Sequence, residues 1–440
     1  MPLPPILRTM PPVCLGMALF LVGCGDLLGS GGSKGPPALI STNPSEGETS
    51  ISVLEPISVE FSKPLNPAAI SGGVTLWNGD REVVAEASLA VKSRVIVLMP
   101  MDPLDFGTEY RVEVSETLMF QGGSALPQAE SWGFSTEGLS PPVPDLDSLF
   151  FHIEALAHDS MRGRGSGSVD ELRAAEYVKD RFMAYGLQEA PGGAIQGFQA
   201  YSRRLDSILT SRNVLAAVEG SGTLAQEWVI VGAHYDHIGF RNLLDNSQGP
   251  NNGADDNGSG TALVLEMARI FQAYVEAGGM GSKDRRSVLF AAFGAEEQGL
   301  LGSCSYVQEM PAVPLAQTRA MMNFDMVGRL RENTVFVSGG ETSTVWNPLV
   351  TNSNEPGLNL VIPNESCTGC TDHACFWGAG IPFVGFFTGL HEEYHRPGDD
   401  VELINFPGMG MIGELALRTL NRLVVMPEAP FLLTPYPSTG

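Results

Sequence analysis

The chain has 440 residues, enough for two or three domains at about 150 residues each. Hydrophobic residues make up 43% and charged residues 17%, so the chain can bury a sizeable core and lacks the balance of a disordered protein. With 50 acidic against 26 basic residues, the net charge of −24 repels phosphate and argues against a nucleic-acid partner.

Arg8 precedes an apolar run, Val13 to Gly23, that is too short to span a bilayer as a mature helix. A charged lead, an apolar stretch and small residues before a cleavage point describe an export signal. The ending Leu21-Val-Gly-Cys24 resembles a lipobox, which implies lipidation of Cys24 as the new N-terminus. The expectation is a signal peptide over 1–23, a flexible Gly/Ser tether over 24–37, and an exported lipoprotein on the periplasmic or cell-surface side, anchored to the membrane without spanning it. Beyond Cys14 and Cys24 there remain Cys304, Cys367, Cys370 and Cys375. An oxidising compartment permits disulfides among them. Cys367-Thr-Gly-Cys370 lacks the second such pair that a zinc knuckle needs, so a local disulfide is expected there. Whether Cys304 and Cys375 pair is left open.

From 38 to 138, short apolar–polar alternations (Ile57–Phe61, Arg94–Leu98, Tyr110–Val114) sit between Pro, Gly, Asn and Asp. Short strands with turn signals between them predict a β-sandwich. Thr42-Asn-Pro-Ser-Glu-Gly47, Val59–Pro64, Phe106–Val112 and Trp132-Gly-Phe-Ser-Thr136 resemble a bacterial Ig-like domain of the S-layer type. No cluster of acids, His or Cys in it points to chemistry. A Pro-rich linker, 139–148, closes it.

From 149 to 427 the pattern alternates helix and strand, ahead of a tail at 428–440. Glu171 to Gly186 has helical period, with Gly186 as the stop signal, and Thr261 to Ala277 reads as a second helix. Trp228–Gly232, Ser287–Phe293, Ala320–Phe324 and Ile381–Phe387 are continuous apolar runs, the mark of strands buried on both faces. The predicted fold is a three-layer α/β/α domain around a mostly parallel mixed sheet. In such sheets ligands bind beyond the carboxyl ends of the strands.

Those ends carry the polar residues: His234-Tyr-Asp236-His237, then Gly253-Ala-Asp255-Asp256-Asn257, Glu296-Glu297, Asp325, and Tyr394-His395 through Asp400. Four of the seven His (His234, His237, His373, His395) lie in these loops. Carboxylate and imidazole donors without thiolate suit Zn²⁺. With the opening motif Leu156-Ala-His-Asp-Ser-Met-Arg-Gly-Arg-Gly165, the set resembles the zinc aminopeptidase family of the bacterial leucyl aminopeptidases, family twenty-eight of the metallopeptidases.

The resemblance implies two Zn²⁺ per chain, with Asp255 bridging, His234 and Asp325 completing one site, and Glu297 and His395 the other. It also implies a cis Asp255–Asp256 peptide and Glu296 as general base, passing a proton from the attacking water to the leaving amine. Asp236, two residues from His234, is expected to orient its imidazole. Asp372 and His373 are placed in the substrate pocket, and His237 and His391 receive no role. The implied activity is hydrolysis of N-terminal residues from peptides with a free N-terminus. The alternatives are a carboxypeptidase or dipeptidase of the same superfamily, a glutaminyl cyclase, or a catalytically dead binding scaffold.

Overall fold

The computed structural model describes residues 35–426 except 52–54, 71, 91, 102–103, 105–106, 137–142, 241–248, 280–283 and 364–368. The expected signal peptide, Cys24, the start of the tether, Cys367 and the C-terminal tail lie outside the described residues. No described helix is long and apolar enough to cross a membrane. The chain divides into two compact units, one within the residues up to Trp132 and one holding everything from Gly133 on.

The N-terminal strands are β1 (Leu39–Asn43), β2 (Glu48–Ile51), β3 (Ile57–Phe61), β4 (Val74–Asn78), β5 (Arg81–Val83), β6 (Ala85–Ala90), β7 (Val95–Pro100), β8 (Glu109–Val114) and β9 (Glu130–Thr136). They form two sheets, β1-β3-β7-β6 and β2-β9-β8-β4-β5. The alternation in the sequence is the alternation of burial. Ile57, Val59 and Phe61 are buried while Ser58 and Glu60 are not, and Tyr110, Val112 and Val114 repeat the pattern.

The second unit centres on a nine-stranded sheet of β10 (Gln188–Glu189), β11 (Ile195–Ser202), β12 (Ser207–Val218), β13 (Trp228–His234), β14 (Ser287–Phe293), β15 (Thr318–Phe324), β16 (Thr334–Ser338), β17 (Asn359–Val361) and β18 (Phe383–Phe387). Its order is β10-β12-β14-β13-β15-β18-β16-β17, with β11 paired to β12. The four apolar runs are its centre: β14, β13, β15 and β18 run parallel, and β12 and β16 flank them antiparallel. Successive residues of β13 go to opposite faces. Val229, Val231 and Ala233 pack in one core with α1 (Leu146–Leu156), α2 (Val169–Ala184), α3 (Gly260–Glu276), α5 (Trp346–Asn352) and α7 (Phe406–Val425). Ile230 faces α4 (Leu301–Gln308) and α6 (His373–Gly378) instead. This is the three-layer arrangement, with every residue of β14 buried.

Local chemistry sets the helix ends. Ser168 caps α2 by accepting from the Asp170 and Glu171 N–H groups. Gly186, in the left-handed region at φ 81°, closes it, its N–H donating to Met183 O. The Cys304–Cys375 disulfide joins α4 to α6 across 71 residues of sequence.

His152 of α1 is fully buried between two tyrosines, with ring-nitrogen to hydroxyl distances of 2.7 Å to Tyr177 and 2.8 Å to Tyr185. Burial, reinforced by Arg181 and Arg269, holds its pKa down to about 4 from 6.5. The unfolded chain therefore binds a proton between these pH values that the folded chain excludes. The stabilisation is present above pH 6.5 and lost as pH falls toward 4, up to about 3 kcal/mol. Urea unfolding between pH 7 and 4 should show that slope, and His152→Gln should flatten it. An unchanged slope would assign it to other groups.

Candidate metal centre

Four parallel strands end side by side, and the chain leaving each delivers one part of the site. His234 is the last residue of β13, and its Nε2 lies 3.5 Å from Asp256 Oδ1 and 3.5 Å from Asp325 Oδ1, just past β15. Glu296 Oε2, from the turn after β14, is 3.9 Å from the same nitrogen. On the other side, His395 Nε2 is 3.0 Å from Asp256 Oδ2 and 3.2 Å from Glu297 Oε1. His237 Nδ1 is 3.0 Å from that Glu297 oxygen and 3.7 Å from Asp256 Oδ2. The donor atoms of His234, Asp256 and Asp325 lie within 4.8 Å of one another, as do those of His237, Asp256 and Glu297.

The shared carboxylate is Asp256, and the expectation for Asp255 is corrected. Asp255 is fully buried but turned away. Its Oδ1 accepts from the Ser259 hydroxyl and the Gly328 N–H, and its Oδ2 lies 3.3 Å from His391 Nε2. The Asp399 carboxylate accepts the backbone N–H groups of both Asp255 and Asp256, which fixes the loop and decides which acid faces the cluster. The cis peptide is likewise one residue further on, at Asp256–Asn257.

Asp236 also acts differently from the expectation. The His234 ring is 3.1 Å from the Asp236 backbone carbonyl, with the carboxylate 3.8 Å away. The carboxylate instead accepts from the Ser166 hydroxyl at 2.6 Å and from the Glu296 and Glu297 N–H groups at 2.9 and 3.4 Å. It holds the turn that presents both glutamates. That turn starts at Ala295, in the left-handed region at φ 54°, whose N–H is bonded to the buried Glu171 carboxylate.

Two histidines given no role from the sequence are buried at the site: His237 is 0% exposed and His391 has a 5% exposed side chain. A strand period could not find His237, because the chain leaves β13 at His234. Sequence reading also missed what Arg164 does. Its fully buried guanidinium donates to the carbonyls of Tyr235, Leu156, Asn252 and Gly253, tying together the loops that carry His234 and Asp256. Of the two residues placed in the substrate pocket, His373 lines it, stacked 3.9 Å from Phe383. Asp372 is not among the lining residues and is fully buried. Cys370 is disulfide-bonded, while its expected partner Cys367 lies outside the described residues.

The electrostatics follow from burying acids together. Burial, with Asp372, Asp325 and Glu297 nearby, raises Glu296 well above the usual carboxylate range, although His234 opposes it. Burial alone would raise Glu297 too, but His237 and His395 outweigh it and hold the carboxyl well below that range. Burial pushes His395 down, and Asp256 and Glu297 reverse this to about 9. Asp256 Oδ2, Glu297 Oε1 and both His237 nitrogens are buried with no hydrogen-bond partner. Buried charges of one sign with orphaned donor atoms call for cations, and this donor set fits divalent zinc.

The cluster opens into a cavity of 490 Å³ whose lining includes the apolar Met326, Phe336, Phe386, Phe387 and Leu390 as well as Asp256, Glu296, Glu297 and Asp325.

Residues 213–420 match peptidase family M28, and residues 33–136 match the bacterial Ig-like domain family. The match to M28 spans the centre of the nine-stranded sheet and the donor residues from His234 to His395. The chain is similar to aminopeptidase YwaD of Bacillus subtilis, 29% identical over 56% of this chain and 52% of that protein. It is also similar to leucine aminopeptidase 1 of Sclerotinia sclerotiorum, 29% identical over 64% of this chain and 75% of that one. The chain spans about half the length of the first two curated relatives it matches. Among solved structures, the fold matches BSAP, a zinc aminopeptidase from Bacillus subtilis, with a TM-score of 0.51 at 19% identity, covering 66% of this chain and 97% of that one. It equally matches the Porphyromonas gingivalis glutaminyl cyclase, with a TM-score of 0.51 at 19% identity, covering 64% of this chain and 99% of that one.

The Arg164 clamp yields a stability test. Lysine keeps the charge but not the forked donors, so buried carbonyls lose partners. Arg164→Lys should cost about 2–4 kcal/mol in denaturant unfolding. A loss below 1 kcal/mol would remove Arg164 from this structural role.

Proposed function

We propose that the chain is an exported dizinc aminopeptidase that releases apolar residues from the N-termini of peptides. The observation that carries this reading is one carboxylate, Asp256, shared by two adjoining donor clusters and lining a cavity with apolar residues. His234 and Asp325 would hold one ion, Glu297 and His395 the other, with Asp256 common to both. The bound ions would supply Lewis-acid polarisation of the scissile carbonyl and lower the pKa of the attacking water.

The chain's own residues do the rest. Glu296 lies beside His234 without belonging to either donor cluster, free to take the water's proton and return it to the leaving amine. Asp236 fixes the backbone of Glu296 and Glu297, so the base and the neighbouring donor keep one relation to each other. The described residues lining the cavity include four acids and no Lys or Arg. That balance favours a cationic α-amine over a C-terminal carboxylate, which supports an aminopeptidase over a carboxypeptidase. The apolar wall of Phe336, Phe387 and Leu390 suits a hydrophobic first side chain.

Export and lipid anchoring at Cys24 complete the proposal. The Cys304–Cys375 disulfide supports an oxidising compartment. Cys24→Ser should move the protein from the membrane to the soluble fraction, and continued membrane association would contradict the anchor.

Hydrolysis of aminoacyl-p-nitroanilides tests the activity. Leu and Phe substrates should be cleaved about 10- to 200-fold better than Gly or Asp, with no cleavage of N-acetylated forms and loss of activity to chelator. Activity only on N-blocked peptides, or only cyclisation of N-terminal Gln, would overturn the assignment. Glu296→Gln should keep the bound metal while kcat falls about 10²- to 10⁴-fold. Undiminished turnover in that variant would remove Glu296 as the base.

A further inference from the structure

The reading above gives each ion a similar donor set, with one imidazole on each side of Asp256. The geometry around His237 points to something less symmetric. His237 is fully buried, and neither ring nitrogen has a hydrogen-bond partner. Its Nδ1 nevertheless approaches Glu297 Oε1 to 3.0 Å and Asp256 Oδ2 to 3.7 Å. Those two oxygens also lack hydrogen-bond partners. They are the same two atoms that His395 Nε2 approaches, at 3.2 Å for Glu297 Oε1 and 3.0 Å for Asp256 Oδ2. Nitrogens and oxygens this close, yet not aligned as donor and acceptor, are aimed at a common point rather than at one another. Ligands of a single ion are arranged in this way.

We infer that His237 is a sixth protein ligand of the metal centre, so that one ion is held by two imidazoles, His237 and His395, together with Glu297 and the shared Asp256. The inference rests on the two-ion reading and extends it. The backbone fixes the ring where this role needs it. The His237 N–H donates to Arg164 O at 3.2 Å. Gly253 presses against the ring so closely that a Cβ there would lie 2.6 Å from its atoms, which only glycine permits. Left unbonded, two buried ring nitrogens would cost free energy without return. As a ligand, Nδ1 gains the partner it otherwise lacks.

The consequence is a centre with unequal halves. The half at His234, Asp256 and Asp325 has one nitrogen and two carboxylates, while the half at His237 has two nitrogens. Imidazole-rich donors favour zinc, and carboxylate-rich donors suit manganese or magnesium. The two ions should therefore leave and exchange at different rates, with the His237 half retaining zinc and the His234 half open to Mn²⁺.

The test is metal content and spectroscopy on the full chain purified in detergent. After dialysis against a weak chelator, the native protein should retain one zinc per chain and take up one Mn²⁺ in the vacated half. His237→Ala should bind the retained zinc about tenfold or more weakly. His237→Asn, which fills much of the same space, guards against loss of folding. In the Co²⁺-loaded protein, both variants should change the visible absorption of the retained ion, which a role confined to packing would leave unaltered. Zinc retention and a Co²⁺ spectrum identical to the native protein in either folded variant would overturn the inference while leaving the two-ion reading intact. A native protein that binds no zinc would overturn both.

Discussion

The second unit is organised around a concentration of buried acids that outnumber the cationic side chains beside them, Arg329 at Asp399 and Arg204 at Glu297. Asp236, Asp256, Glu297, Asp372 and Asp399 are all buried, with Glu296 and Asp325 partly covered beside them. At Asp256 the closest side-chain partners are imidazoles. Such an arrangement is costly unless each carboxylate has a defined partner. The structure meets that condition in two ways. Some acids accept backbone N–H groups: Asp399 takes those of Asp255 and Asp256, and Asp236 those of Glu296 and Glu297. Others, Asp256 and Glu297, leave oxygens unsatisfied and facing imidazoles. The first group is scaffold and the second is where cations belong.

The fold makes this possible because parallel strands end at one edge. β13, β14, β15 and β18 are covered on both faces by apolar side chains of the flanking helices. Each strand then releases its chain at the same edge, where irregular backbone lines a cavity. Arg164 supplies the missing backbone partners there, satisfying four carbonyls that no strand or helix reaches.

The architecture was legible because short, β-branched and aromatic apolar runs bounded by turn residues read as strands buried on both sides. The runs at Ser287–Phe293 and Trp228–Gly232 therefore located the sheet and its carboxyl edge. The choice between Asp255 and Asp256 was not legible. They lie in an irregular loop, Asp256 at φ −104° and ψ 97°, where no period says which side chain faces inward. The Asp399 carboxylate, more than 140 residues away, makes that choice. His237 failed for the same reason, and Asp372 because adjacency to His373 does not imply a shared direction at a helix start. The β11–β12 hairpin escaped because β11 buries only Phe198 and Ser202 and so offers no continuous apolar run. The Cys304–Cys375 pairing depends on α4 meeting α6, which spacing alone does not give.

The central claim is that one carboxylate joins two metal sites and that it is Asp256. The direct measurement is zinc content of folded Asp256→Asn and Asp255→Asn beside the native chain. The account predicts two zincs in the native chain, two in Asp255→Asn, and a loss from both sites in Asp256→Asn. Retention of both zincs in Asp256→Asn, with their loss in Asp255→Asn, would contradict it.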